Sequence, residues 1–65
     1  MIVVVNGNQT EQPNGITVRQ LLAQSNLTPE RVAIELNKRL VRSEKYDAPL
    51  NDGDVIEIVT FVGGG

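Results

Sequence analysis

The chain has no cysteine, no histidine and no tryptophan, and it has one tyrosine, one phenylalanine and one methionine. Without cysteine, disulfides, thiolate nucleophiles, persulfide relays and thiolate zinc sites are excluded from its own residues. Without histidine, the commonest general base and the commonest metal ligand are missing too, so chemistry would fall to carboxylates, amines and hydroxyls. An independent enzyme and a bound cofactor or metal are therefore not expected. The net charge is −2, whereas proteins that bind the phosphate backbone carry a strong basic excess, so no nucleic-acid partner is expected. No apolar run reaches the length that spans a bilayer, and Met1 leads straight into a β-branched stretch with no charged segment before it. Neither a membrane span nor a signal peptide is expected, which points to the cytoplasm. At 65 residues one small domain, 1–65, is expected, and a domain of this size buries only about 60% of the surface its unfolded chain exposes.

What is present reads in order as strand, helix and strand. Met1-Ile2-Val3-Val4-Val5 is a β-branched run ending in Asn6-Gly7, the dipeptide best suited to a two-residue type I′ hairpin. Apolar residues on both of its faces mark a central strand but leave open which face meets the core. The returning strand, about Asn8 to Glu11, is polar and suits a sheet edge, which Pro13 ends. Gln12-Pro13-Asn14-Gly15 fits a type I turn. Thr17 as N-cap with Gln20 three residues on forms a capping box, with Ile16 and Leu21 at the staple positions. Val18, Leu21 and Leu22 share one stripe of a short helix from about Val18 to Gln24, ended by a left-handed Asn26.

Thr28-Pro29-Glu30 opens either a longer helix through Leu36 and Leu40 or a single helical turn followed by a strand. The alternation of Val32, Ile34 and Leu36 with Ala33, Glu35 and Asn37 favours the second, with Asn37-Lys38 turning into Arg39-Leu40-Val41. A polar turn anchored by Tyr46 runs from Arg42 to Ala48, where Pro49 breaks it. Asp52, Asp54 and Glu57 read as turn chemistry around Gly53, since a calcium loop needs more oxygen ligands at set spacing. Val55 through Val62 is the strongest strand. Lys38, Arg39, Arg42 and Lys45 form the one basic cluster; with no interleaved aromatics it reads as a solvated face or a docking edge.

The sequence closes on Phe61-Val62-Gly63-Gly64-Gly65. Three successive glycines are expected by chance only about a few times in ten thousand. A flexible end would explain them. So would a thin thread of roughly 10 Å, able to enter a narrow tunnel and present a carboxylate at Gly65. A carboxylate is ionised at neutral pH and a poor electrophile, so a partner would have to activate it, typically as an anhydride with a phosphate.

The expected class is α+β, a mixed sheet of four to five strands packed on one short helix, and this order resembles the β-grasp roll of ubiquitin. Several segments sharpen the likeness: Asn6-Gly7; Gly15-Ile16-Thr17 with Leu21-Leu22; Val32-Ala33-Ile34 with Asn37; Val41-Arg42; and Gly53-Asp54-Val55-Ile56-Glu57-Ile58 with Phe61-Val62-Gly63-Gly64-Gly65. Together they resemble the sulfur-carrier proteins of thiamine biosynthesis. The resemblance implies a protein substrate acted on by others. A ubiquitin-activating-like adenylyltransferase using ATP and magnesium would adenylate Gly65, a persulfide sulfur donor would convert it to a thiocarboxylate, and a thiazole synthase would take the sulfur. Val62, Gly63 and Gly64 would enter the partners' active sites. The small subunit of molybdopterin synthase shares this fold and ending, though its tail usually carries prolines before the glycines. A ubiquitin-like modifier and an inert β-grasp binding module are the alternatives from another class.

The alternation of the last strand also places a docking surface. Ile56 and Ile58 share one face and Val55, Glu57, Val59 and Phe61 the other. Burying Glu57 beneath the helix would cost several kcal/mol unless it were paired, so Ile56 and Ile58 are expected in the core, with Val59 and Phe61 exposed as partner anchors.

Overall fold

Two left-handed dipeptides set the frame of the sheet. Asn6 and Gly7 take φ of 49° and 83°, and Asn37 and Lys38 take 52° and 71°, the positive pair that a type I′ turn requires. The first pair joins β1 (Ile2–Val5) to β2 (Asn8–Glu11). The second joins β3 (Val32–Leu36) to β4 (Arg39–Val41). The computed structural model describes residues 1–61. Within it β5 (Val55–Thr60) lies in the middle, parallel to β1 and antiparallel to β3, in a five-stranded sheet of order β2-β1-β5-β3-β4. With one helix, α1 (Val18–Gln24), on one face, this is the mixed-sheet β-grasp roll expected.

The helix ends as its sequence dictates. The Thr17 hydroxyl accepts the Gln20 amide N–H at 3.1 Å, and the Gln20 side chain accepts the Thr17 N–H at 3.0 Å. At the other end Asn26 takes φ 56°, and the Leu27 and Asn26 amides donate back to the Leu22 and Ala23 carbonyls at 2.9 and 3.2 Å. That is the paired bonding of a Schellman stop. Val18, Leu21 and Leu22 face the sheet, where Leu22, Ile34, Ile56 and Val3 are all fully buried. Val3 settles the face left open for β1: it points into the core with Val5 packed beside it, and Ile2 and Val4 take the opposite side.

Residues 28–36 form one 3₁₀ turn, Pro29–Arg31, and then a strand. The strand wins because Val32 and Ile34 are buried against the core while the β3 backbone pairs with β5 over five residues. Ser43–Lys45 is a second 3₁₀ turn that seats Tyr46, 3% exposed, as its apolar anchor. Leu50 is an equally buried residue that no periodicity announces. Its amide donates to the Ile16 carbonyl at 2.8 Å, beside a bridge between Thr17 and Pro49, and this draws it beneath the helix.

Two expectations need correction. The tight turn before the helix is Pro13 to Ile16, closed by the Ile16 amide on the Pro13 carbonyl at 3.2 Å, not Gln12 to Gly15. Gln12 is still in the β1 ladder, its amide on the Met1 carbonyl at 2.8 Å, so the turn starts one residue later. Gly15 then sits third with φ 81°, the sign a type II turn demands there. The final strand also stops at Thr60, because its partner β3 begins at Val32, opposite Thr60. Phe61 lies beyond the ladder, although its amide still donates to the Arg31 carbonyl at 2.8 Å.

The asparagines of the two hairpin turns do more than turn the chain. The Asn6 side chain accepts the Ile58 amide at 2.7 Å and donates to the Ile58 carbonyl at 3.2 Å, which continues β1 along β5 after its backbone has turned away. Asn37 acts likewise on the other edge, its side chain accepting the Val55 amide at 2.9 Å while its own amide donates to the Val55 carbonyl at 2.7 Å. Replacing Asn6 by glycine keeps the positive φ and removes both side-chain bonds. Chemical denaturation of Asn6→Gly is expected to show a loss of about 1–2 kcal/mol; unchanged stability would reduce Asn6 to a turn residue.

Candidate docking face and tail

The face of the sheet away from the helix is built by alternation. On β5, Ile56 is buried and Ile58 packs against the core, while Val55 and Val59 turn outward, 41% and 56% exposed. Register carries that face across the neighbouring strands: Val4 is opposite Val55, Ala33 opposite Val59, and Leu40 opposite Glu35. Phe61, next in the alternation, is 56% exposed and Leu40 71%. All four large apolar side chains exposed among the described residues thus fall on one surface, the composition of a docking patch.

Among the outward residues of its strands the charge has one sign. Glu35 and Glu57 stand directly opposite each other across β3 and β5, a like-charged cross-strand pair that disfavours the isolated sheet. Glu11, opposite Ile2, lies on the same face. The described ion pair is elsewhere, between Arg19 on α1 and Asp47 at 2.7 Å. Both of its side chains are well exposed, so it contributes little to stability.

Val59 and Phe61 are exposed, as the alternation required. Val59 lies within the strand opposite Ala33, and Phe61 is fixed at the sheet end by its bond to Arg31. The expectations for Val62, Gly63, Gly64 and Gly65 lie outside the described residues.

The acidic residues near Gly53 are occupied with backbone. Asp52 accepts the Ile2 amide at 2.6 Å, and Asp54 accepts the Asn51 amide at 2.8 Å and the Asn37 side-chain amide at 3.0 Å. They tie the start of β5 to β1 and to the second hairpin, as turn chemistry would. Among the described residues no group of three potential ligands is placed to hold a metal ion. Burial pushes the Tyr46 phenol above its ordinary range, which keeps it a neutral hydroxyl. Leu40 and the Glu35–Glu57 pair were not singled out from sequence as parts of the docking face. The signal was the register between β3, β4 and β5, which a single strand's alternation does not contain.

The chain matches a family model described as the ThiS family over residues 3–65. It is 48% identical to the sulfur carrier protein ThiS of Bacillus subtilis over 50 residues, covering 75% of this chain and 76% of that protein. It is also 38% identical over 66 residues to a thiazole synthase of Paramagnetospirillum magneticum; all of this chain is covered, but it spans only 20% of that protein's length. Among solved structures, the crystal structure of the thiamine biosynthesis protein (ThiS) from Geobacter metallireducens superposes with a TM-score of 0.80 at 33% identity, covering both chains in full. Fold and sequence together place this chain in the ThiS family.

Proposed function

We propose that this chain is a sulfur carrier for thiamine thiazole synthesis, with Gly65 as the carrying residue. The observation that bears most on this is the exposed Val59 and Phe61 on a one-sided sheet, at the end of the strand that leads to the glycines. The family match running through Gly65 adds support, as does the role that the name of the Bacillus relative states.

The chemistry follows from what the chain lacks. The Gly65 carboxylate attacks the α-phosphorus of ATP on a partner adenylyltransferase, and pyrophosphate leaves. The product is an acyl-adenylate, the activated form a carboxylate needs. Magnesium on that partner offsets the charge of the phosphates. The outer sulfur of a donor's persulfide then attacks the acyl carbon and AMP departs. Cleavage of the resulting S–S bond by a thiol leaves the thiocarboxylate on Gly65. With no cysteine in this chain, both the persulfide and that thiol belong to partners. A thiazole synthase then accepts the sulfur.

In this reading Gly63 and Gly64, lacking side chains, and the short Val62 form the thread that enters each partner's active site. The apolar patch seats against the partner, and the Glu11, Glu35 and Glu57 carboxylates call for basic groups on the opposing surface. The chain itself catalyses nothing, and it works in the cytoplasm. In this reading the chain is one domain, 1–65, with 62–65 as its reactive tail.

Adding one residue after Gly65 is expected to abolish ATP–pyrophosphate exchange with the adenylyltransferase while leaving thermal unfolding nearly unchanged. Normal exchange by the extended chain would sink the assignment of Gly65. Phe61→Ser and Val59→Ser are each expected to weaken partner binding, read by calorimetry, by about 1–3 kcal/mol with less than about 1 kcal/mol lost in folding. Were Phe61→Ser to unfold the chain while binding by the folded fraction stayed intact, Phe61 would be packing and not an anchor.

A further inference from the structure

A second surface lies on the outer edge of the sheet, at the end of β5 away from the tail. A groove of about 600 Å³ opens between β4 and the segment from Arg42 to Leu50. Its floor is apolar, built from Val18, Leu36, Val41 and Leu50, and its rim carries Arg39, Arg42 and Lys45 against a single carboxylate, Glu44. Three cations against one anion give +2 at this rim, in a chain whose total is −2. None of the three has a carboxylate within salt-bridge distance among the described residues. Leu36, on the floor, pairs with Ile56 near the start of β5, and Thr60 is four residues further on, about 13 Å along the strand. A molecule in the groove therefore sits across β3 from β5.

The wall of the groove is an open strand. β4 pairs with β3 alone, and no backbone group of Arg39, Leu40 or Val41 makes a hydrogen bond outside that ladder among the described residues. An unpaired edge is a template for another strand. Charges on an edge can simply deter such pairing, but deterrence needs neither an apolar floor nor Leu40 left 71% exposed beside it.

We infer that this edge is a binding site for an extended, acidic segment of a partner protein, which adds as a sixth strand along β4. Alternate side chains of an added strand fall on opposite faces. One set drops onto Val41 and Leu50 in the groove and the other lies against Leu40, so the segment is apolar at its centre. Its carboxylates meet Arg39, Arg42 and Lys45.

The test uses the whole chain, labelled with ¹⁵N, and a synthetic peptide with a central run of isoleucines flanked on each side by glutamates. Saturable binding is expected, with amide shifts centred on residues 39–45 and slowed exchange of the outward β4 amides. Arg39→Glu with Arg42→Glu is expected to weaken binding by about tenfold or more, and raised salt to weaken it further. All five of these outcomes support the site. Should that double variant fail to fold, Lys45→Glu, outside the sheet, makes the same charge test. Phe61→Ser should leave the affinity unchanged, which separates this site from the tail-side face. The inference is overturned by no saturable binding, by shifts centred on Val59 and Phe61, or by equal binding of a peptide with lysine in place of glutamate. It is likewise overturned if single-stranded RNA or anionic vesicles displace the peptide from the groove, or if sedimentation shows the edge already paired with a second copy of the chain.

Discussion

Everything in this small domain is arranged around one strand that must be gripped on both edges and buried on only one face. β5 receives backbone bonds from β1 and β3, and where each neighbour turns away an asparagine side chain takes over the pairing, Asn6 on Ile58 and Asn37 on Val55. Both asparagines hold left-handed φ, a conformation that the short polar side chain tolerates better than most. The same residue therefore makes the hairpin and locks the strand that the hairpin flanks. Asp52 and Asp54 complete the hold at the start of β5 through the Ile2 and Asn51 amides.

One-sided burial follows from the supply of apolar cover. A seven-residue helix is the only α-helix among the described residues, and it spans one face of a five-stranded sheet. Ile56 and Ile34 take that cover completely. The reverse face keeps Val55, Val59 and Leu40 in solvent beside Glu35 and Glu57. A domain with so small a core cannot expose these groups to its own benefit, since the paired glutamates repel and the apolar side chains gain nothing from water. A partner surface removes both penalties. In the proposed function the strand's attachment also matters, because it holds Phe61, the last described residue, in fixed relation to that partner surface.

Much of this was legible in the sequence because local rules and the tertiary structure agree. Thr17 and Gln20 announced the helix start, Asn26 its end, and Asn6-Gly7 the first hairpin, and each does what its side chain and φ preference suggest. The outward Val59 and Phe61 followed from the cost of burying Glu57. What escaped depended on contacts between distant residues. Leu50 sits in irregular chain and is buried only because its amide reaches Ile16. The turn before the helix slipped by one residue because the Gln12 amide was claimed by Met1 across the hairpin. The groove beside β4 needed the fold of residues 42–50 around Tyr46, for which the sequence offers one aromatic and no periodicity.

The central claim is that residue 65 carries sulfur, and intact mass spectrometry of the protein from its own cells tests it most directly. The chain should be taken from cells lacking thiazole synthase, where a thiocarboxylate has no acceptor. The account predicts a species in which one oxygen of the Gly65 carboxylate is replaced by sulfur, and which a thiol-directed alkylating reagent modifies although the chain has no cysteine. An all-oxygen mass under those conditions, further residues after Gly65, or adducts joined through Gly65 to lysines of other proteins would each contradict it.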